Sequence, residues 1–394
     1  MFTRIKRCAV WVALMMCCIF GAQAGETIRV GWVNFNLSDD WFMYIQEFGQ
    51  KEAARIEKED GVKFEWIIRD GTGNAERQIK IVDDFITMGD IDMFLFNAVD
   101  DVAMGKAIEK MNKAMNIPIG SPGNPAMSGK FIYVSLDNVA ATKELGDTFV
   151  DIMTKKYGPP ASWKRPGQQK GVIIEIWGPP SLQIVKDRHI GFRQALDPIL
   201  AANPHLEVVE GLSNWSPDTA FKTCSDLIER HRDDLVGIYV DDDTGATEGA
   251  WRAMELARMA FPIGDDRHIP LVTYDGTISG NQAVRDKKID SMVDQPCPAY
   301  SYITFRMLYN WYKYGYESLP KAGDILGEKE LSKYFDLEGE IGAKYWAPVE
   351  VREEIPGILW FAPAASLMPQ EKPANDRSAW GNYVYFIENG KWPE

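Results

Sequence analysis

The sequence predicts an α/β protein made of two similar lobes, each a doubly wound parallel sheet. Three observations predict it. Short apolar strands alternate with amphipathic helices from Thr27 to about Tyr316, and the alternation falls into two series of similar content that meet near Ala140. The 394 residues, 45% hydrophobic and 25% charged, suffice for two cores rather than one. Strands joined by helices of this length need crossover connections, which set the strands parallel and cover both faces of each sheet.

In the first series, 28–33 reads as a strand, and 41–58 carries apolar residues at helical spacing before Gly61. A strand over 62–68 leads to a helix over 74–89 with Ile79, Val82, Phe85 and Ile86 on one face. A buried strand at 93–96, a helix over 103–116 and a strand at 117–120 complete it. The second series opens with a helix over 140–157 and a Pro/Gly-rich loop, 158–167. Strands at 171–177, 206–211, 236–240 and 271–274 then alternate with helices over 183–201, 219–230 and 244–259. After Tyr316 the rhythm stops. Residues 319–394 hold scattered prolines with Tyr345, Trp346, Trp360, Phe361, Trp380, Tyr383, Tyr385, Phe386 and Trp392. A solvated tail would not carry so many rings, so this region is expected to be ordered and packed on a lobe.

Arg4, Lys6 and Arg7 precede an apolar run from Ala9 to Ala22, and Ala22-Gln23-Ala24 offers small residues at the positions a signal peptidase reads. The run is too short to span a bilayer comfortably, so 1–24 is expected to be a cleaved export signal and the destination the periplasm. The full chain has 43 basic and 57 acidic residues, net −14; without the leader's three basic groups it is −17. Such a field works against extended phosphate surfaces, which disfavours nucleic acid and anionic membranes as partners. Beyond the leader only Cys224 and Cys297 remain, so no disulfide framework is predicted.

Motifs for turnover are missing. Gly71-Thr72-Gly73 lacks the third glycine and acidic partner of a dinucleotide loop, and there is no phosphate loop or Gly-x-Ser-x-Gly elbow. His189, His205, His231 and His268 stand far apart with no pair at helical ligand spacing. Asp241-Asp242-Asp243 lacks the spaced ligands and distal glutamate of a calcium loop. No cofactor, metal or catalytic residue is predicted, and binding is favoured over catalysis.

Seven segments in order carry a family resemblance: 36–42 (NLSDDWF), 94–100 (FLFNAVD), 135–138 (SLDN), 187–192 (DRHIGF), 239–243 (YVDDD), 274–277 (YDGT) and 286–290 (DKKID). With them, the chain from Thr27 to Tyr316 resembles the type I periplasmic solute-binding proteins of the ribose and galactose transporter group, relatives of the LacI-type repressor core. The resemblance implies two lobes joined by three chain crossings, near Leu136-Asp137, near Gln295-Pro296 and beyond Tyr316. The first lobe is then 25–136 with about 296–318, the second 137–295. The implied role is capture of a small sugar or polyol between the lobes and delivery to an ABC permease. A second reading keeps the fold and makes the chain a sensor docking on a histidine kinase or chemoreceptor.

The resemblance also assigns site residues. Trp41 and Phe42 match paired aromatics that pack on a sugar ring, with Asp39 and Phe35 contacting from the same loop. Arg188 matches a cleft arginine, Trp215 an aromatic wall of the second lobe, and Gln295 a hinge-side amide. Asp242 stands where relatives carry a polar group, and Asp275 matches a carboxylate that accepts from neighbouring hydroxyls. Trp177 is expected to be structural. The chain departs from the ribose pattern at Ser121-Pro122-Gly123-Asn124, where relatives have an Asp-Arg pair. Three carboxylates against one arginine suit a hydroxyl-rich or amine-bearing ligand rather than an acid or phosphate.

Overall fold

The computed structural model describes residues 26–336 and 343–394, so the expected leader lies outside the described residues. The first lobe opens with β1 (Thr27–Asn34), α1 (Asp40–Asp60), β2 (Lys63–Asp70), α2 (Ala75–Met88), β3 (Met93–Phe96), α3 (Asp101–Ala114), β4 (Ile119–Pro122) and β5 (Phe131–Val134). The second lobe comprises α4 (Asn138–Tyr157), β6 (Gly171–Trp177), α5 (Gln183–Ala202), β7 (Leu206–Leu212), α6 (Pro217–Arg230), β8 (Leu235–Val240), α7 (Arg252–Leu256), β9 (Leu271–Asp275), α8 (Ile278–Arg285) and β10 (Ser291–Asp294). Helix α9 (Cys297–Tyr314) returns to the first lobe. It is followed by β11 (Ile325–Leu326), α10 (Glu328–Leu331), β12 (Val349–Arg352), β13 (Ile358–Ala362), β14 (Ser366–Met368) and α11 (Trp380–Asn389).

Local chemistry marks the helix ends. Asp39, Asn74, Asp100 and Asp137 cap α1, α2, α3 and α4 by accepting from first-turn amides. Strands β3, β4 and β5 are buried along their whole length, as parallel strands covered on both faces must be. The first sheet runs β11-β12-β13-β5-β4-β3-β1-β2 and the second β14-β10-β9-β8-β6-β7. In each, order reverses at the first strand of the series, between β1 and β3 and between β6 and β8. Such switch points open a crevice at the strands' carboxyl ends.

The structure adds β5, β10, α8 and α9 to the expected elements and differs from the sequence expectations in other ways as well. Strand β5 has four residues, too few to show a period. The stretch expected as a helix over 244–259 starts as a π-helix, Gly245–Trp251, before α7, and the Gly245 N–H at its start donates to Asp242 Oδ2, 2.5 Å from nitrogen to oxygen. The C-terminal region does not sit on one lobe. β13 joins β5 in parallel, β12 and β11 extend the first sheet antiparallel, and β14 pairs antiparallel with β10 of the second. The chain therefore passes between sheets at 135–137, 295–296 and 363–365. Cys224 and Cys297 are buried free thiols.

Candidate functional site

Every candidate residue follows the carboxyl end of a strand or opens the next helix. Asp39, Trp41 and Phe42 follow β1, Arg188 lies in α5 after β6, and Trp215 follows β7. Asp242 follows β8, Asp275 ends β9 and Gln295 follows β10. The structure brings eight of the nine together. Asp39, Trp41, Phe42, Arg188, Trp215, Asp242, Asp275 and Gln295 line one cavity between the lobes. Phe35 is the exception: its ring stacks behind Phe42, centroids 4.8 Å apart and 7° from parallel, so it supports the wall instead of forming it. Gly123, Asn124, Ile184, Thr244 and Thr277 complete the lining. Gly123 and Asn124 belong to the loop that departs from the ribose pattern. There Ser121 Oγ donates to the Asn124 carbonyl at 2.6 Å and Gly123 adopts φ 98°, so a tight backbone turn occupies this wall.

Arg188, 3% exposed, organises the second-lobe face. Its Nε donates to Asn138 Oδ1 at 3.2 Å, Nη1 to the Asp241 carbonyl at 2.7 Å and Nη2 to Gln295 Oε1 at 3.4 Å, with Asp275 Oδ1 3.7 Å away. Its guanidinium lies 3.9 Å from the Tyr274 ring centroid and 5.7 Å from that of Trp215. Burial alone would lower its proton affinity, but Asp275, Tyr274 and Asp241 more than offset this and keep it charged. Asn138 also accepts from Tyr274 Oη at 3.1 Å. Nothing in the local sequence marks Asn138 as part of this network, because its partners there, Arg188 and Tyr274, lie far along the chain.

The carboxylates share one positive charge. Burial raises Asp275 to about 7, Arg188 opposing and Asp242 and Asp39 adding to the rise. Burial likewise raises Asp39 to about 6 against the Trp41 amide that it caps. Asp241, Asp242 and Asp243 are pushed up by burial as well, although Asp242 accepts from Ser213 Oγ and Asp243 from the Thr277 amide. Desolvation without enough counter-charge explains all five.

Backbone strain accompanies two lining residues. Asn214 and Trp215 both lie in the left-handed region, φ 51° and 53°, and Asp275 has φ 103°. For residues with a Cβ such conformations cost of order 1–3 kcal/mol each and persist where surroundings enforce them. Trp215 is held by its N–H on Ser213 Oγ, 3.1 Å, and its indole N–H on Asp241 Oδ2, 3.4 Å. Gly178 permits this: a Cβ there would lie 2.3 Å from the indole nitrogen. Trp177 faces His189, centroids 4.0 Å apart, and does not line the cavity.

The lobes touch across the crevice. Ser181 Oγ donates to the Val99 carbonyl at 3.1 Å, the Gln183 amide donates to Asp101 Oδ2 at 2.7 Å, and the Phe35 and Trp215 rings meet at 5.9 Å. Away from the cavity, Glu175, His189 and Glu210 place potential ligand atoms within 4.8 Å of one another, a juxtaposition the sequence spacing concealed. Arg193 pairs with both glutamates, at 3.7 and 3.2 Å, and already supplies the positive charge there.

Residues 30–315 match the periplasmic binding protein domain. The chain belongs to that family. This binding protein is 26% identical over 290 residues to the ribose import binding protein of Escherichia coli (strain K12), a match covering 72% of this chain and 84% of the relative. Among solved structures, it resembles an ABC transporter periplasmic solute-binding protein from Actinobacillus succinogenes 130z with bound D-allose. The TM-score is 0.62 at 17% identity, over 89% of this chain and 100% of that one. It also resembles the fructose-binding periplasmic domain of a hybrid two-component system, TM-score 0.64 at 15% identity over 92% and 97%. The part of the binding protein before Leu319 cannot supply such coverage alone, so these folds extend into the C-terminal strands. No helix among the described residues is long and apolar enough to cross a membrane.

Proposed function

We propose that this chain is the periplasmic receptor of an ABC importer, which closes its lobes on a small sugar or sugar-like polyol and presents the closed form to a permease. The observation that carries the reading is the inter-lobe cavity walled by Trp41, Phe42 and Trp215 and floored by Arg188, Asp242, Asp275 and Gln295. Aromatic faces pack on the C–H faces of a sugar ring, while fixed carboxylates and a guanidinium pair with its hydroxyls. Relatives named for ribose import and for bound D-allose support the same ligand class. Closure signals occupancy because only a ligand with higher affinity for the closed form shifts the population toward it.

A thermal-shift panel of pentoses, hexoses and inositols at millimolar concentration tests this. At least one member should stabilise the wild type by several degrees and lose that effect in Trp215→Ala and Asp275→Ala; no shift with any member would refute the reading. Resemblance to the periplasmic domain of a hybrid two-component system favours a second reading, a ligand sensor. Ligand-stimulated ATPase activity of a reconstituted permease supports the importer, and ligand-dependent kinase phosphorylation the sensor.

A further inference from the structure

The aromatic C-terminal region reaches the cleft through one side chain. Trp380 opens α11 and is 2% exposed. Its indole N–H donates to the Asp275 carbonyl at 3.0 Å, the same carbonyl that accepts from the hinge amide of Gln295 at 3.1 Å. Its ring meets Trp41 edge-on at 5.4 Å and Tyr44 at 5.7 Å. Trp41 and Asp275 line the cavity from opposite lobes. One indole thus contacts both walls.

The surroundings fix that indole. Gly381 is pressed on the turn after β9 so closely that a Cβ would lie 2.5 Å from the Gly276 carbonyl oxygen and 2.6 Å from Thr277. Asn382 accepts from Arg285 of α8 and donates to the Ala374 carbonyl at 3.0 Å, which ties α11 to the second lobe. At the other end of the helix, Glu388 accepts from Tyr44 Oη of α1 at 2.8 Å, which ties it to the first. Asp275 sits at φ 103°, where a residue with a Cβ needs its carbonyl and side chain held from outside.

We infer that Trp380 is a positioning residue of the ligand cleft: it fixes Asp275 in its strained conformation and Trp41 in its ring orientation. The inference rests on the cleft being the ligand site, and makes the C-terminal segment part of that site although it never touches the cavity. It assigns a task to a ring that the resemblance, ending at Tyr316, left without one.

Hydrogen–deuterium exchange of the full, ligand-free chain tests it without knowing what the cleft takes. Trp380→Phe keeps a ring and removes the N–H donor. It should raise exchange about fivefold, the worth of one hydrogen bond, at 275–277 and at 43–44, while the rest of α8 and β9 keeps its protection. A merely structural anchor would instead lose protection only within 374–389, and that result overturns the proposal, as does unchanged exchange throughout. Tyr44→Phe removes the Glu388 bond and leaves the indole in place. It should loosen 385–389 and spare 275–277, and equal loosening of both would also overturn it. If a sugar panel finds no ligand while Trp380→Phe shows the expected coupling, the functional reading fails and the positioning role stands.

Discussion

The first lobe brings to the cleft the rings of Trp41 and Phe42, backed by Phe35, with a single carboxylate, Asp39. The second brings Arg188, Asp242 and Asp275, with Asp241 and Asp243 behind them and one ring, Trp215. The aromatic face offers apolar surface that a ligand in the proposed site would bury. The charged face is already hydrogen-bonded: Arg188 donates to Asn138, Asp241 and Gln295, and Gln295 Nε2 donates to Asp275 at 2.7 Å. A face ordered in advance costs little to order on binding, but its members hold the fold together too. Changes on the two faces should therefore separate: second-lobe substitutions should cost stability as well as affinity, and first-lobe substitutions mainly affinity.

The largest expected effect is Arg188→Ala. It strands buried carboxylates without their counter-charge and should cost about 3–5 kcal/mol in urea unfolding. A loss below about 1 kcal/mol would show that the charged face is not a connected network. The pH dependence sharpens the same contrast. Asp275 and Asp39 have values near 7 and 6 in the fold against an ordinary 3.8, so between these limits the folded chain binds more protons than the unfolded one. Their contribution to stability is present below about pH 4 and is lost as pH rises through 6 to 7. Unfolding midpoints of the ligand-free protein should fall between pH 5 and 7, and Asp275→Asn should lessen that slope. A slope of opposite sign would contradict the assignment.

Smaller effects lie on the aromatic face. Trp41→Ala should weaken the strongest ligand of a sugar panel by about 2 kcal/mol, roughly thirtyfold in calorimetric titration, and lower fold stability much less than Arg188→Ala does. If stability falls more than affinity, the two faces are not distinct. Phe35→Leu, one layer behind, should remove only the stacking contribution, about 1 kcal/mol of fold stability.

Much of this was legible in the sequence because strand-end segments are local. Asp39-Asp40-Trp41-Phe42 announces a helix cap beside two rings, Asp241-Asp242-Asp243 and Asp275-Gly276 each sit at a strand-to-helix turn with its own signal, and Asp187-Arg188 lies in the first turns of α5. What stayed hidden depends on distant partners. Phe35 reads as another cleft ring until Phe42 is seen stacked over it. Residues 319–394 have no alternating rhythm because β11 to β14 are short, and each finds its neighbour in a sheet begun far earlier in the chain. Trp380 is one ring among many in the C-terminal sequence and acquires a partner only when the last helix docks beneath Asp275. Asn138, Thr244 and Thr277 are ordinary polar residues in sequence and acquire a place at the site only through the fold.

The central claim is that the cleft holds one small hydroxyl-rich molecule through its second-lobe network. Native mass spectrometry of the protein purified without unfolding tests this most directly. Wild type should carry a single mass increment of a sugar or polyol that Asp275→Ala lacks. An equal increment in both proteins, or one that fragments as a peptide or nucleotide, would contradict it.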